Sequence, residues 1–427
     1  MIDLKRLRQD PEGSRASLLR RRDSSVSQSV DALLTLDRER RDLLVRVESL
    51  KAERNAASEE VARRKRAKEP ADELMARLKT SGEEVKALDA RLREVEAELE
   101  RRALTLPNFP ADVVPDGDAS ANRIVRSWGE PSAFEFQPKP HWELAAALGI
   151  LDLPGGAKLT GSGFPLFRGL GSRLVRAMAA FMLDLHSHEH GYVEIAPPVL
   201  VNRTTLTGTG QLPKFEEDLY GFPADDLFLI PTAEVPVTNI HRDEILEASD
   251  LPLGYVAFTP CFRREAGAHG KDTRGLIRVH QFDKVELVRF VRPDHSDAEH
   301  ERMTRHAETV LQRLELPYRV VELAAGDTGF SAARTFDLEV WAAGVGTWLE
   351  VSSSSTFTDF QARRANIRFR PEPRAKPEFV HTLNASGVAF PRTIVALLEN
   401  NQTADGSVRV PKALVPYLGV DRLAPTA

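Results

Sequence analysis

Cysteine is almost missing: the 427 residues contain a single one, Cys261. A lone cysteine closes no internal disulfide, and without a Cys or His neighbour at ligand spacing it makes a poor zinc site, so Cys261 is expected as a small buried hydrophobe. Long apolar runs are missing too, since no stretch approaches the roughly 20 residues that cross a bilayer. Met1 to Arg22 alternates charge with leucine instead of presenting the apolar block of a signal peptide. A cytoplasmic protein with no membrane partner is therefore expected. A large excess of one charge is absent, the net value being -5. Nothing global calls for a polyanion, so any nucleic-acid contact must come from local basic surface. Phosphate loops of the Gly-x-x-x-x-Gly-Lys-Ser/Thr and Gly-x-Gly-x-x-Gly kinds are absent between strand and helix, which argues against Walker and Rossmann nucleotide sites. There is no internal repeat and no low-complexity tail.

What remains is 42% hydrophobic and 28% charged, a composition that buries a sizeable core and, at this length, divides into two or three domains. From about Val30 to Leu104 glycine nearly disappears and apolar residues fall at heptad spacing. In the second half Leu74, Leu88 and Val95 alternate with Leu78, Val85, Leu92 and Leu99 along one seam. In the first half Leu36, Leu43, Leu50 and Ala57 repeat with Leu33, Val47 and Val61 between them, while Arg40 and Arg54 interrupt. Pro70 cannot continue a helix and disfavours helical angles at Glu69, so the chain is expected to reverse there. Helices of about 35 residues give an antiparallel hairpin on the order of 50 Å long, with Arg63, Arg64, Lys65, Arg66 and Lys68 near its tip. Such a hairpin fits a charged dimerisation coil or an arm that reaches a polyanion, and the basic tip favours the second.

Leu106 to Pro110 ends the hairpin, and the Pro-, Gly- and Asp-rich stretch to about Pro140 is expected to be a linker. The boundaries are accordingly 1–105, 106–140 and 141–427. After the linker, helical patterns such as Leu170 to His190 alternate with β-rich runs: Tyr255 to Phe262, Val279 to Phe290 and Thr347 to Ser353. These predict an α+β domain on an antiparallel sheet. A strand ending in Phe262-Arg263-Arg264-Glu265, a polar loop from Ala266 to Gly275 and a strand opening at Arg278-Val279-His280-Gln281-Phe282 place Arg263 and Arg278 at a cleft. There, two permanent cations grip a phosphate from different directions. Read singly, each arginine suits a surface salt bridge better.

The run Cys261 to Gly267 and Gly270 to Phe282 is similar to motif 2 of the class II seryl-tRNA synthetases. His190-Gly191-Tyr192-Val193-Glu194-Ile195-Ala196-Pro197-Pro198 resembles motif 1, and Thr232-Ala233-Glu234 resembles the serine-binding TxE loop. Glu350-Val351-Ser352-Ser353 and Asp359 to Arg364 resemble the nucleotide-site strand. Leu383-Asn384-Ala385-Ser386, with Arg392 and the helix through Glu399-Asn400, resembles motif 3. The order is the family's, and with the arm the resemblance spans essentially the whole chain.

The resemblance implies a serine–tRNA ligase in which the serine carboxylate attacks the α-phosphorus of ATP, and serine then passes to the 3′ end of tRNA(Ser), and of tRNA(Sec) where present. It places Arg263 on the α-phosphate, with Arg264 beside it and Arg278 adding phosphate contact. Glu265 and the Val279 backbone hold adenine between Phe282 and Arg392, the latter also reaching the γ-phosphate. Glu350 and Ser353, flanked by Val351 and Ser352, hold Mg²⁺. Thr232, Ala233, Glu234, Glu286, Asn384 and Ser386 form the serine pocket. The arm binds the body of the tRNA, motif 1 builds a homodimer, and DNA is not a partner.

Three departures from the family pattern, Ala385, Phe390-Pro391 and the run Ser352 to Thr358, are expected to crowd the pockets, as in an inhibitor-resistant second copy. Two rivals stand beside the ligase: a relative that makes seryl-adenylate for a biosynthetic pathway, and a non-catalytic tRNA-binding module. The intact arm argues against the first. Retention of Arg263, Glu265, Arg278, Glu350 and Arg392 argues against the second.

Overall fold

The heptad pattern becomes two long helices. In the computed structural model, which describes residues 1–266 and 274–425, α1 (Val26–Ala67) pairs with α2 (Asp72–Ala103). Leu33, Val47 and Val61 of α1 and Val85, Val95 and Leu99 of α2 are buried in the expected seam. Arg40 does interrupt it, reaching Glu96 at 3.7 Å. Pairs Arg91–Glu39 at 2.7 Å and Arg46–Glu84 at 2.5 Å show the antiparallel register, seven residues forward on α1 meeting seven back on α2, and Lys51–Asp89 at 3.1 Å adds a further bridge. Exposed pairs of this kind contribute about 0–1 kcal/mol each, so the apolar seam holds the hairpin.

Helix α1 stops at Ala67 because Lys68 turns left-handed, φ 59°, and returns its N–H to the Arg64 and Lys65 carbonyls. Pro70 then prevents the helix from resuming. Helix α2 restarts with Asp72 and Glu73 in its first turn, where carboxylates favour the positive end of the helix. At 42 and 32 residues the helices extend about 63 and 48 Å. With the short helices Leu4–Gln9 and Pro11–Leu19 they form one body, Ile2–Leu19 and Asp23–Leu106.

The second body comprises Met1, Arg20–Arg22 and everything from Pro107 on. Residues 106–140, expected as a linker, largely belong to it: after Leu106 they join this body and supply an edge strand, β1 (Arg123–Trp128). Its side chains are mostly exposed, which removes the alternation that reveals a strand. Arg126 to Glu308, at 2.9 Å, helps tie it down. The other strands of the eight-stranded sheet are β2 (Val193–Glu194), β3 (Leu253–Phe262), β4 (Gln281–Val291), β5 (Tyr318–Glu322), β6 (Arg334–Ala342), β7 (Thr347–Thr356) and β8 (His381–Ala389). Their order is β1-β5-β6-β7-β8-β4-β3-β2, antiparallel apart from the β2–β3 pair.

Side chains on a strand alternate between faces, and β4 shows what that does here. Val285, Leu287 and Val291 enter the main core beneath helices α4 (Leu170–Asp184), α5 (Ser296–Arg313) and α6 (Phe390–Asn400). Phe282, Lys284 and Glu286 take the opposite face, which further along carries a second apolar cluster with Val288 and Phe290. A short helix, α3 (His141–Ala147), precedes α4. The expected helix Leu170 to His190 is α-helical to Asp184 and closes as a π turn over Leu185–Glu189. Cys261 is fully buried, and burial pushes its thiol pKa up. Among the described residues no helix is long and apolar enough to cross a membrane.

Candidate active site

The polar face of the sheet forms the floor of a cavity of about 600 Å³. Among the residues singled out from sequence, Thr232, Glu234, Arg263, Glu265, Arg278, Val279, Phe282, Glu350, Val351, Ser352, Ser353, Asn384, Ser386 and Arg392 line it. Ala233 and Glu286 are buried just behind the wall. Arg264 turns aside, its guanidinium 5.9 Å from the Tyr220 ring. Residues 267–273 of the polar loop after Ala266 lie outside the described residues.

Arginines mark one end. Antiparallel pairing of β3 and β4 sets Cys261 opposite Phe282, so Arg263, two residues beyond Cys261, emerges beside that ring at 5.2 Å. Its Nε donates to the Pro231 carbonyl at 3.3 Å. Arg278 is ion-paired with Glu265. Arg392, in the first turn of α6, donates to the carbonyls of Ile277 and Glu350, each at 2.9 Å, and stands 3.6 Å from the Glu350 carboxylate. Three permanent cations thus share a cavity with acids that a stronger anion can displace.

Carboxylates mark the other end. Asn384 Nδ2 bridges Glu286 Oε1 at 2.8 Å and Glu234 Oε2 at 3.2 Å. Gln361 donates to Glu234 Oε1 at 2.6 Å. Lys284 pairs with Glu286 and donates to the Thr232 hydroxyl at 2.9 Å. Burial, and then the charge of Glu286, push the Glu234 pKa up to about 7. Two buried acids with one ammonium between them leave a pocket suited to a further cation bearing hydrogen-bond donors.

Between the two ends, β7 carries a bulge. Ser352 pairs with Leu338, but Glu350 pairs with Glu339, so Val351 is the extra residue. Paired residues share a face, and the bulge therefore returns Glu350 to the side occupied by Ser353. The half-exposed carboxylate and the hydroxyl fit a Mg²⁺ ion, which takes one or two protein oxygens and completes its shell with water or phosphate. Among the described residues no cluster of three or more His, Cys, Asp or Glu side chains is arranged to hold a metal. Next to Ser353, burial and then the charge of Glu350 push the Asp337 carboxyl well above the usual range.

Lys284 was not anticipated, although its place two residues before Glu286 on one strand face was a usable signal. Gln361, expected near the nucleotide, instead holds Glu234. Of the three departures, Ala385 and the Phe390 half of Phe390-Pro391 stay out of the cavity. Ala385 alternates away from Asn384 and Ser386 into the core, and Phe390 is buried there, 5.6 Å from the Phe258 ring. In the serine run, Ser354 contacts α5 through Thr304, while Ser353 and Ser355 line the cavity. Pro391, beside Arg392, also lines it.

An antiparallel sheet that presents convergent arginines and an acidic pocket, with no phosphate loop of the Walker or Rossmann kind, is the architecture of a class II aminoacyl-tRNA synthetase. Residues 216–401 match the tRNA synthetase class II core domain (G, H, P, S and T), and residues 1–110 match the seryl-tRNA synthetase N-terminal domain. The chain is 56% identical over 420 residues to a serine–tRNA ligase of Geobacillus kaustophilus, covering 98% of this chain and 99% of that one. It is also 56% identical, over 422 residues, to one from Citrifermentans bemidjiense, with the same two shares covered. A solved seryl-tRNA synthetase from Pyrococcus horikoshii, complexed with ATP, superposes with a TM-score of 0.95 at 39% identity over 100% of both chains. The chain belongs to the seryl-tRNA synthetase family.

Proposed function

We propose that this chain activates L-serine with ATP to give seryl-adenylate and then transfers serine to the 3′ end of tRNA(Ser), with the cavity as the site of both steps. The observation that carries the residue assignments is the convergence of Arg263, Arg278 and Arg392 on the cavity whose far end holds Glu234 and Glu286. Amino acid activation needs a place for a triphosphate beside a place for an ammonium. The serine carboxylate attacks the α-phosphorus, the bond to the bridging oxygen breaks, and pyrophosphate leaves. Positioning and charge neutralisation do most of this work, which suits arginines better than a proton-shuttling base.

Arg263, between Phe282 and the TxE segment, meets the α-phosphate. Arg278 and Arg392 exchange Glu265 and Glu350 for phosphate oxygens. Adenine lies between Phe282 and Arg392, with the Val279 backbone and Glu265 at its edge, a planar base sandwiched by an aromatic ring and a guanidinium. Glu350 and Ser353 would hold a Mg²⁺ ion, which would further neutralise phosphate charge. The serine ammonium goes to Thr232 and Glu234, and the hydroxyl to Glu286, Asn384 and Ser386. Alanine is rejected because it leaves those groups unpaired, at about 1–3 kcal/mol each.

The hairpin holds the tRNA body, and the same reading covers tRNA(Sec) where present. A homodimer through β2 fits this reading: β2 ends the sheet, and Val193 on it is 59% exposed. A cytoplasmic setting goes with a tRNA substrate.

The test is serine-dependent ATP–pyrophosphate exchange and tRNA charging for the full chain, Arg263→Ala, and a form lacking the hairpin. Arg263→Ala is expected to lose both activities by about 100-fold or more, and the truncated form to keep exchange and lose charging. Charging that survives truncation removes the role given to the arm. Exchange that survives Arg263→Ala removes the phosphate assignment.

A further inference from the structure

One wall of the cavity is irregular backbone. Leu276 to Val279 precede β4 without belonging to a strand, yet Arg278 and Val279 line the cavity and the Ile277 carbonyl anchors Arg392. A segment without a β-ladder is held by whatever takes its polar groups. The Leu276 N–H donates to His141 Nε2 at 3.0 Å. Hydrogen-bond geometry then assigns the ring proton to Nδ1, which donates to Glu399 Oε1 at 2.8 Å. Both side chains are fully buried. Glu399 is itself fixed, accepting from the His141 N–H at 2.8 Å and from the Gly344 and Val345 N–H groups at 2.7 and 3.1 Å.

The neighbouring residues are held from the same helix. The His141 ring lies flush on Gly275, which is left-handed at φ +67°; a Cβ there would stand 2.1 Å from Nε2. The Arg274 guanidinium lies 4.3 Å from the Trp142 ring. Consecutive residues 274–276 are therefore gripped by consecutive residues of α3, and Glu399 of α6 braces the grip.

We propose that His141, braced by Glu399, is a positioning residue for the nucleotide. It sets the backbone from Leu276 onward so that Arg278, Val279 and the Ile277–Arg392 bond stand correctly for ATP. It touches no reacting atom. The inference rests on the placement of ATP given above.

In pyrophosphate exchange with the full chain, His141→Ala is expected to raise the KM for ATP about tenfold, the value of one missing hydrogen bond, with the KM for serine within about twofold. His141→Gln keeps an acceptor within reach of the Leu276 N–H, whereas His141→Asn keeps only the side facing Glu399. The Gln variant should therefore lie much nearer the parent in ATP KM. Leu144→Ala, in the same helix and 1% exposed, should lower the Tm and leave the ATP KM unchanged. The proposal is overturned if Asn performs as well as Gln, if both KM values rise together, or if Leu144→Ala shifts the ATP KM as much. Should His141→Ala fail to fold, the Gln and Asn pair decides. Arg392→Ala separates the two layers: if it leaves the ATP KM unchanged, the placement of ATP is wrong. If it raises that KM while His141→Ala does not, only the positioning role fails.

Discussion

Glu234 has burial raising its pKa to about 7, from an ordinary 4.5, with the charge of Glu286 adding to the effect. Between those values the folded chain keeps a proton that the unfolded chain has released. The stability tied to this proton is complete below about pH 4.5 and is lost as pH rises through about 7, on the order of 3 kcal/mol in all. The Tm of the parent should fall relative to that of Glu234→Gln between about pH 5 and about pH 8; parallel profiles would place the shift elsewhere. A serine ammonium favours the ionised acid, so the KM for serine should climb as pH drops below about 7 while the KM for ATP does not. Residues of this kind divide by legibility. Arg263 and Arg278 were readable because two cations at the ends of paired β-runs suit a phosphate, whereas Arg392 and Glu350 were readable only through the ordered motifs of the family resemblance. His141 and Gln361 were not, because a polar residue flanked by apolar ones looks the same whether it holds a backbone segment or another side chain; Lys284 was passed over although its alternation with Glu286 stood in the sequence.

Elements were legible where a repeat persists. Heptads predicted the hairpin and Pro70 its turn, and β-rich runs located β3, β4 and β7. Two features escaped for physical reasons. Strand β1 is an exposed edge without alternation, and the bulge at Val351 reverses the face of Glu350, which a strict period of two places opposite Ser353. The hairpin itself is open to a direct test. Val95 is 1% exposed in the seam, and an unpaired carboxylate there costs several kcal/mol. Val95→Asp should therefore lower the helical circular dichroism by melting α1 and α2, and abolish charging. Exchange should remain near the parent rate, because the catalytic body has its own core. Simultaneous loss of exchange would show that the two bodies fold as one unit.

At the scale of the whole molecule the net charge of -5 conceals a local arrangement. Arg63 and Arg64 at the hairpin tip share Glu60, at 2.7 and 2.9 Å, while Lys65, Arg66 and Lys68 are exposed. Only uncommitted cations gain much by meeting phosphate, because a paired one must first give up its partner. The two substrates should accordingly respond differently to salt. On the proposed placement ATP is gripped inside a cavity, where screening is weak, whereas a tRNA backbone lying on exposed lysines would release counterions as it binds. Raising the salt should increase the KM for tRNA in charging far more steeply than the KM for ATP in exchange. Replacing Lys65, Arg66 and Lys68 together with alanine should lower the logarithmic salt slope by about 0.7–0.9 for each phosphate left without its cation and leave exchange untouched. Replacing Arg63 and Arg64 should change the slope less. A slope indifferent to all of these substitutions would move tRNA binding away from the tip, to the flanks of the hairpin or to the mouth of the cavity.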